Sequence, residues 1–328
     1  MWSKRPCGGK PVVYVDEDVW TVLNDGSEEA PSRRKGVPLV YSAQDQSLYL
    51  FGGAGPGLNF NDLWKFDLIE RRWYNESTKC MDAWSGHHSG EDVPYPVPRA
   101  YHVLQIFNSK LVVYGGYGVN DDSEMYWEYD LRTHQWKNVI FRDANPGLRF
   151  GLAACIHNES LYICTGQLQS RLVSSTLWRL DLRSKTWQQV VATGAPPTPR
   201  TYAAHTLLRP HGRWLIHGGS SSDTVFNDTY ELDLNTFHWH PSLILCTPPT
   251  LEGHTLDALQ TQWESTCLFL LGGATSGPIV PSGPIARCDL FLRGLSSQLK
   301  VEDFCIRLPI VADMLWDLHR SRIAAQEK

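Results

Sequence analysis

Five stretches of the chain repeat one pattern of apolar and polar positions. In Ser47–Ser77 an apolar run closes on Gly52-Gly53 and a polar loop follows. A second apolar run then carries Asp67, and a last short run carries Trp73. The order recurs with Gly115-Gly116, Asp130 and Trp136; with Thr165-Gly166, Asp181 and Trp187; and with Gly218-Gly219, Asp233 and Trp239. A fifth copy begins at Gly272-Gly273 and reaches Asp289 without a tryptophan. From the second glycine to the tryptophan the separations are 20, 20, 21 and 20 residues, and the tryptophan always follows the aspartate by six. Successive diglycines lie 63, 50, 53 and 54 residues apart. Self-similarity at about 50 residues marks a stacked or circular repeat array.

Each unit reads as a four-stranded antiparallel sheet. Its first strand begins near an arginine, as in Pro98-Arg99-Ala100-Tyr101, and its second ends on the glycines. The third carries the aspartate and the fourth the tryptophan. Glycine at a strand end permits a close backbone approach or a turn that a side chain would block. A tryptophan is a large apolar plug suited to the gap between neighbouring sheets. One unit buries too little alone; several side by side bury a continuous core.

The diglycines, the Asp-Leu pairs, the spaced tryptophans and the Pro-Arg pairs at 98–99 and 199–200 together resemble the kelch-repeat β-propeller family. The resemblance runs from about Val12 to Arg293. It implies an all-β, kelch-like β-propeller with five recognisable repeats, and six blades if the N-terminal strands add one. Residues 1–11 read as a loose N-terminus, 12–294 as the propeller, and 295–328 as a short C-terminal helical tail. Val12–Leu23, with Trp20, is expected to complete the last sheet, which removes an exposed edge. Glu76–Val97 is an inserted loop; its Cys80 and His87-His88 fit no zinc spacing. Ile310, Val311, Met314, Leu315 and Leu318 form a helical stripe after Pro309.

Composition narrows the function classes. Of 328 residues, 42% are hydrophobic, so a large core is available, and a net charge of −5 argues against a general nucleic-acid binder. None of the eight cysteines forms a CxxC pair, and reduced, buried thiols are expected. No apolar run reaches membrane-spanning length, and the first residues show no signal-peptide core. These features imply a cytoplasmic or nuclear monomer without a bound cofactor.

Blade topology places the loops into the first strands and the loops after the diglycines on one rim. Arg34 (or Arg33), Arg99, Arg149 and Arg200 open the first strands there. Tyr101, His102, Tyr202 and His205 accompany them, and Asn59, Asn61, Tyr117, Asp121, Gln167, Arg171, Ser220, Ser221 and Ser222 follow the glycines. Arginine captures carboxylates with paired hydrogen bonds. The expected site is therefore a partner-binding mouth for an acidic or C-terminal peptide segment, built on Arg34, Arg99, Arg149, Arg200, Tyr101, Tyr202, His205 and Ser220. The competing reading has the arginines tie blades together through carbonyls and repeat aspartates.

No metal or catalytic residue is assigned. The chain lacks a GxSxG elbow, an HExxH helix, a Walker loop and a paired-carboxylate motif. The family resemblance implies a protein-interaction module. Val301–Cys305 resembles the box by which ubiquitin-ligase receptors dock their adaptors, which implies use as a substrate receptor of a cullin-type ubiquitin ligase. A cytoskeletal or trafficking scaffold is the second reading. A metal-dependent or small-molecule enzyme on the same fold is the third.

Overall fold

A computed structural model describes residues 4–7, 10–13, 30–79, 94–208, 211–242, 252–253, 255–260, 266–271 and 290–291. The fold is all-β, built of antiparallel propeller blades. The chain divides into two compact units, one on Leu23–Val191 with Thr198–Thr201, the other on Met1–Val22, Ala192–Pro197 and Tyr202–Lys328.

In the second unit a hairpin pairs β1 (Lys4–Cys7) with β2 (Lys10–Val13). The Leu23–Val191 unit starts with blade 1: β3 (Leu39–Ser42), β4 (Ser47–Gly55), β5 (Leu58–Asp67) and β6 (Arg72–Asn75), hydrogen-bonded in that order. Blade 2 repeats the order with β7 (Val103–Phe107), β8 (Lys110–Tyr114), β9 (Tyr126–Asp130) and β10 (Gln135–Asn138). Next, β11 (Arg149–Phe150) leads into blade 3, made of β12 (Ala153–His157), β13 (Ser160–Cys164), β15 (Leu177–Asp181) and β16 (Thr186–Val190). The short β14 (Gln167–Leu168) pairs with β11.

The other unit holds β17 (Thr193–Gly194) and blade 4: β18 (Ala204–Leu208), β19 (Arg213–His217), β20 (Thr229–Asp233) and β21 (His238–Pro241). Strand β17 joins the outer edge of blade 4, parallel to β21. A three-stranded sheet follows from β22 (Thr255–Gln260), β23 (Thr266–Leu271) and β24 (Leu290–Phe291).

The middle positions of the inner strands are apolar and buried because both faces are covered. On β8, Leu111 and Val113 face a core shared with Tyr49, Phe51 and Leu63 of blade 1. The alternate residues Val112 and Tyr114 face Leu152, Leu161 and Ile163 of blade 3. Two of the repeat tryptophans fill the seam behind their blade. Trp136 lies 5.0 Å from the Phe51 ring and Trp187 lies 5.4 Å from Tyr114, in each case the residue before the first position of the preceding blade's diglycine.

The constant six-residue step from aspartate to tryptophan is a turn. The Asp67 carboxylate accepts from the Ile69 and Glu70 N–H groups, and Asp130, Asp181 and Asp233 accept from the residues two and three ahead. The residue four ahead takes a left-handed conformation: Arg71, His134, Lys185 and Phe237, with φ from 52 to 59°. An Asx turn of this kind sets the register that returns the tryptophan to the core. The Ser184 and Arg183 N–H groups hold the Asp181 carboxyl below its ordinary pKa.

The expected C-terminal helix at 295–328, the Val301–Cys305 box, Trp20 and the Cys80/His87/His88 loop lie outside the described residues. Cys155 and Cys164 are buried free thiols. No helix among the described residues is long and apolar enough to cross a membrane.

Candidate functional site

The four strand-opening arginines sit together in the Leu23–Val191 unit, and their side chains are buried. Arg99 and Arg200 have no solvent exposure, Arg149 has 3%, and the Arg34 side chain has 4%. Nη1 of Arg34 donates to the Gly52 carbonyl at 2.9 Å, Nη1 of Arg99 to Gly115 at 3.2 Å, and Nη1 of Arg149 to Thr165 at 3.3 Å. Each arginine thus holds the carbonyl at the first diglycine position of its own blade. Arg200 donates from Nε to the Thr198 carbonyl and from Nη2 to the Thr198 hydroxyl. The expected mouth of open guanidinium groups is not what the fold presents here. These groups serve main-chain acceptors, because a buried cation must find hydrogen-bond partners.

A second bond passes from blade to blade. The N–H at the second diglycine position donates to the next blade's arginine carbonyl: Gly53 to Arg99 at 2.8 Å, Gly116 to Arg149 at 3.0 Å, and Gly166 to Arg200 at 2.8 Å. Guanidinium and glycine bonds alternate into one continuous stitch. The close approach explains the glycines. A Cβ on Gly115 would stand 2.3 Å from the Arg149 carbonyl oxygen, and Gly115 has φ of 67°. Thr165 accepts the same left-handed region at φ of 63°, and its hydroxyl takes the Ala153 N–H at 3.1 Å.

Two residues past each arginine the backbone is again left-handed: Gly36, Tyr101, Gly151 and Tyr202, with φ between 55 and 61°. Tyr101 N–H donates to the Gly36 carbonyl, and Gly151 N–H to that of Tyr101. The Tyr101 ring lies over Gly36, where a Cβ would come within 2.6 Å of it. A tyrosine at positive φ is a strained choice. In the other unit, Tyr202 is half-buried at φ of 55°. His205 there stands edge-on to Trp214 at 6.3 Å, and Ser220 is buried with its backbone bridged to Val225. Of the eight expected residues, the four arginines and Tyr101 belong to the Leu23–Val191 unit, and Tyr202, His205 and Ser220 to the other.

Apolar side chains face solvent in the loops after the glycines, beside exposed polar ones such as Asp121 and Arg171. Among the described residues seven large apolar side chains are exposed, and three of them, Leu58, Tyr117 and Leu172, follow the diglycine position in successive blades. Their exposures are 56, 57 and 67%. The loops are tied together: Asn59 Nδ2 donates to the Tyr117 carbonyl and Gln169 Nε2 to that of Val119, both at 3.2 Å. Tyr117 packs edge-on against Phe150 at 5.5 Å. Leu58 and Leu172 were absent from the sequence-derived site, which followed charge. Their signal was an apolar residue within an otherwise polar loop.

The charge under the rim is not evenly balanced. Asp62 takes the Arg34 guanidinium with both oxygens, at 2.5 and 2.9 Å. Glu124 stands 3.6 Å from Arg99 Nη2. Burial pushes the Arg99 pKa down to about 10, with Glu124 pulling the other way. Among the described residues, no cluster of His, Cys, Asp or Glu could hold a metal ion.

Comparison with known proteins finds relatives of this sequence. Residues 11–166 and 81–273 match the KLHDC2/KLHL20/DRC7 Kelch-repeats domain. Acyl-CoA-binding domain-containing protein 5 of Arabidopsis thaliana is 29% identical over 80% of this chain and 40% of its own length. Kelch domain-containing protein 2 of Bos taurus is 26% identical, over 78% of this chain and 52% of its own. Kelch domain-containing protein 3 of Homo sapiens is 25% identical, over 70% and 60%. The chain thus spans less than two thirds of each of these relatives.

Proposed function

Because the chain belongs to the kelch-repeat family, whose propeller is a protein-interaction fold, we propose that it is an interaction module that takes a protein partner on the rim of Leu58, Tyr117 and Leu172. The observation that carries this reading is the placement of exposed apolar side chains in three successive, mutually bonded loops. Apolar residues scattered singly need no explanation, but a set carried on loops bonded to one another suits a contact with another protein. The buried arginines then act as the frame beneath the contact.

In its most specific form the module presents its partner to a cullin-type ubiquitin ligase, with 295–328 recruiting the adaptor. That segment enters on the sequence resemblance of Val301–Cys305.

Affinity capture from cell extract tests both parts. A rim variant, Leu58→Asp with Tyr117→Ser and Leu172→Asp, is compared with Ile69→Asp, an exposed site (73%) beside the Asp67 turn. The rim variant should lose the proteins that wild type and Ile69→Asp retain, at unchanged melting temperature. Retention of every partner by the rim variant would remove the proposal. Removal of 295–328 should release ligase adaptors while leaving the rim partner bound.

A further inference from the structure

Position by position, blade 3 departs from its neighbours at one charge. The residue five or six before the repeat aspartate is Asp62 in blade 1, Glu124 in blade 2 and Asp228 in blade 4, but Thr176 in blade 3. Asp62 and Glu124 stand over the buried arginine of their own blade. Thr176 Oγ1 stands in that place over Arg149, 3.5 Å from Nη1. No carboxylate among the described residues pairs with Arg149. Its remaining acceptors are the neutral carbonyls of Pro146 and Thr165, and its Nε has no partner.

Nearby ionisable groups supply no negative charge. Burial pushes the Cys164 thiol up to about 12 and raises the Tyr114 phenol as well, so both stay protonated. Burial also presses the Arg149 guanidinium down from its ordinary value. A buried cation held only by neutral groups is costly, and an opposite charge would offset that cost.

The position at which Asp62 and Glu124 carry their carboxylates reaches solvent. Asp62 and Glu124 are 26 and 25% exposed in their own blades, and Thr176 is exposed in blade 3. The Ser174 hydroxyl lies 2.8 Å from that of Thr176. The threonine hydroxyl accepts from the guanidinium as a carboxylate would, but carries no charge to offset it.

We infer that Arg149, Thr176 and Ser174 form an anion site for a carboxylate side chain of the protein partner, which completes in blade 3 the pair that Asp62 and Glu124 complete within the chain. The carboxylate takes over the Arg149 Nη1 proton that Thr176 Oγ1 now holds, and accepts from the hydroxyl proton that the Ser174–Thr176 bond leaves free. Paired guanidinium and hydroxyl donors suit a planar carboxylate better than a spherical anion. Identification of the ligand as part of a protein rests on the rim reading above; the site chemistry does not.

The test is thermal unfolding of the full chain at pH 7.5 and constant ionic strength. The probes are the blocked tripeptide Gly-Glu-Gly, its Gly-Gln-Gly counterpart, and acetate. For wild type the glutamate peptide should raise Tm saturably, by about 2 °C near saturation, and the glutamine peptide should not. Thr176→Asp supplies the missing carboxylate; it should start from a higher Tm and show no peptide response. Thr176→Val keeps Arg149 and loses a hydroxyl, so the response should weaken several-fold. Thr176 is exposed, so both variants fold. Equal responses to the two peptides, or an unchanged response in Thr176→Asp, would overturn the site. A response to acetate without one to the glutamate peptide would overturn its assignment to a protein side chain. The Leu58/Tyr117/Leu172 variant keeps Arg149 and Thr176 and should respond as wild type does, which separates this test from that of the rim.

Discussion

His102 offers the sharpest test of the packing between blades 1 and 2. It lies three residues past Arg99, where blade 3 has Leu152, and it is only 6% exposed. Its ring stands edge-on to Phe51 at 5.6 Å. Neither ring nitrogen has a hydrogen-bond partner among the described residues. Burial, and then the Arg99 charge, hold its pKa well below 6.5. In the folded protein the imidazole is therefore neutral, while in the unfolded chain it protonates near 6.5. Below that pH the unfolded state binds the extra proton, so stability falls as pH falls and is constant above it. Going from pH 7.5 to 5.5 should cost about 1.4 kcal/mol through this one group. His102→Leu, which copies blade 3, should remove that loss and also relieve two unpaired nitrogens, worth about 1 kcal/mol at pH 7.5. Urea unfolding followed by tryptophan fluorescence at the two pH values gives both numbers. If wild type and His102→Leu lose the same stability between them, the imidazole is not held neutral at this seam, and the reasoning fails.

Two more outcomes follow from the same seams. Gly115→Ala places a Cβ 2.3 Å from the Arg149 carbonyl at a positive φ, so it should destabilise by about 3 kcal/mol or more by urea titration. Cys155 and Cys164 are buried, and burial holds the Cys164 thiol up at about 12. Neither should react with iodoacetamide at pH 8 until urea unfolds the Leu23–Val191 unit, as peptide mass mapping would show.

Much of the frame was legible from spacing. The diglycine, the aspartate and the tryptophan act over a few residues: a strand end, an Asx turn, and a return across one strand pair. Trp136 and Trp187 occupy the seams expected of them. The site was legible only in part. The arginines turn inward to main-chain acceptors, and a sequence does not show which way a guanidinium turns. The rim apolar residues escaped because Leu58 and Leu172 carry no charge and belong to no repeated position.

By itself, then, the sequence determined the blade: period-two strands with both faces apolar, and turns whose chemistry is contained in six residues. Folding decided the rest, because it depends on groups far apart in the chain. Arg34 meets Asp62 across 28 residues, and Arg149 meets Thr176 across 27. Only when those two pairs can be laid side by side does a threonine become a missing carboxylate, and only burial makes that absence matter.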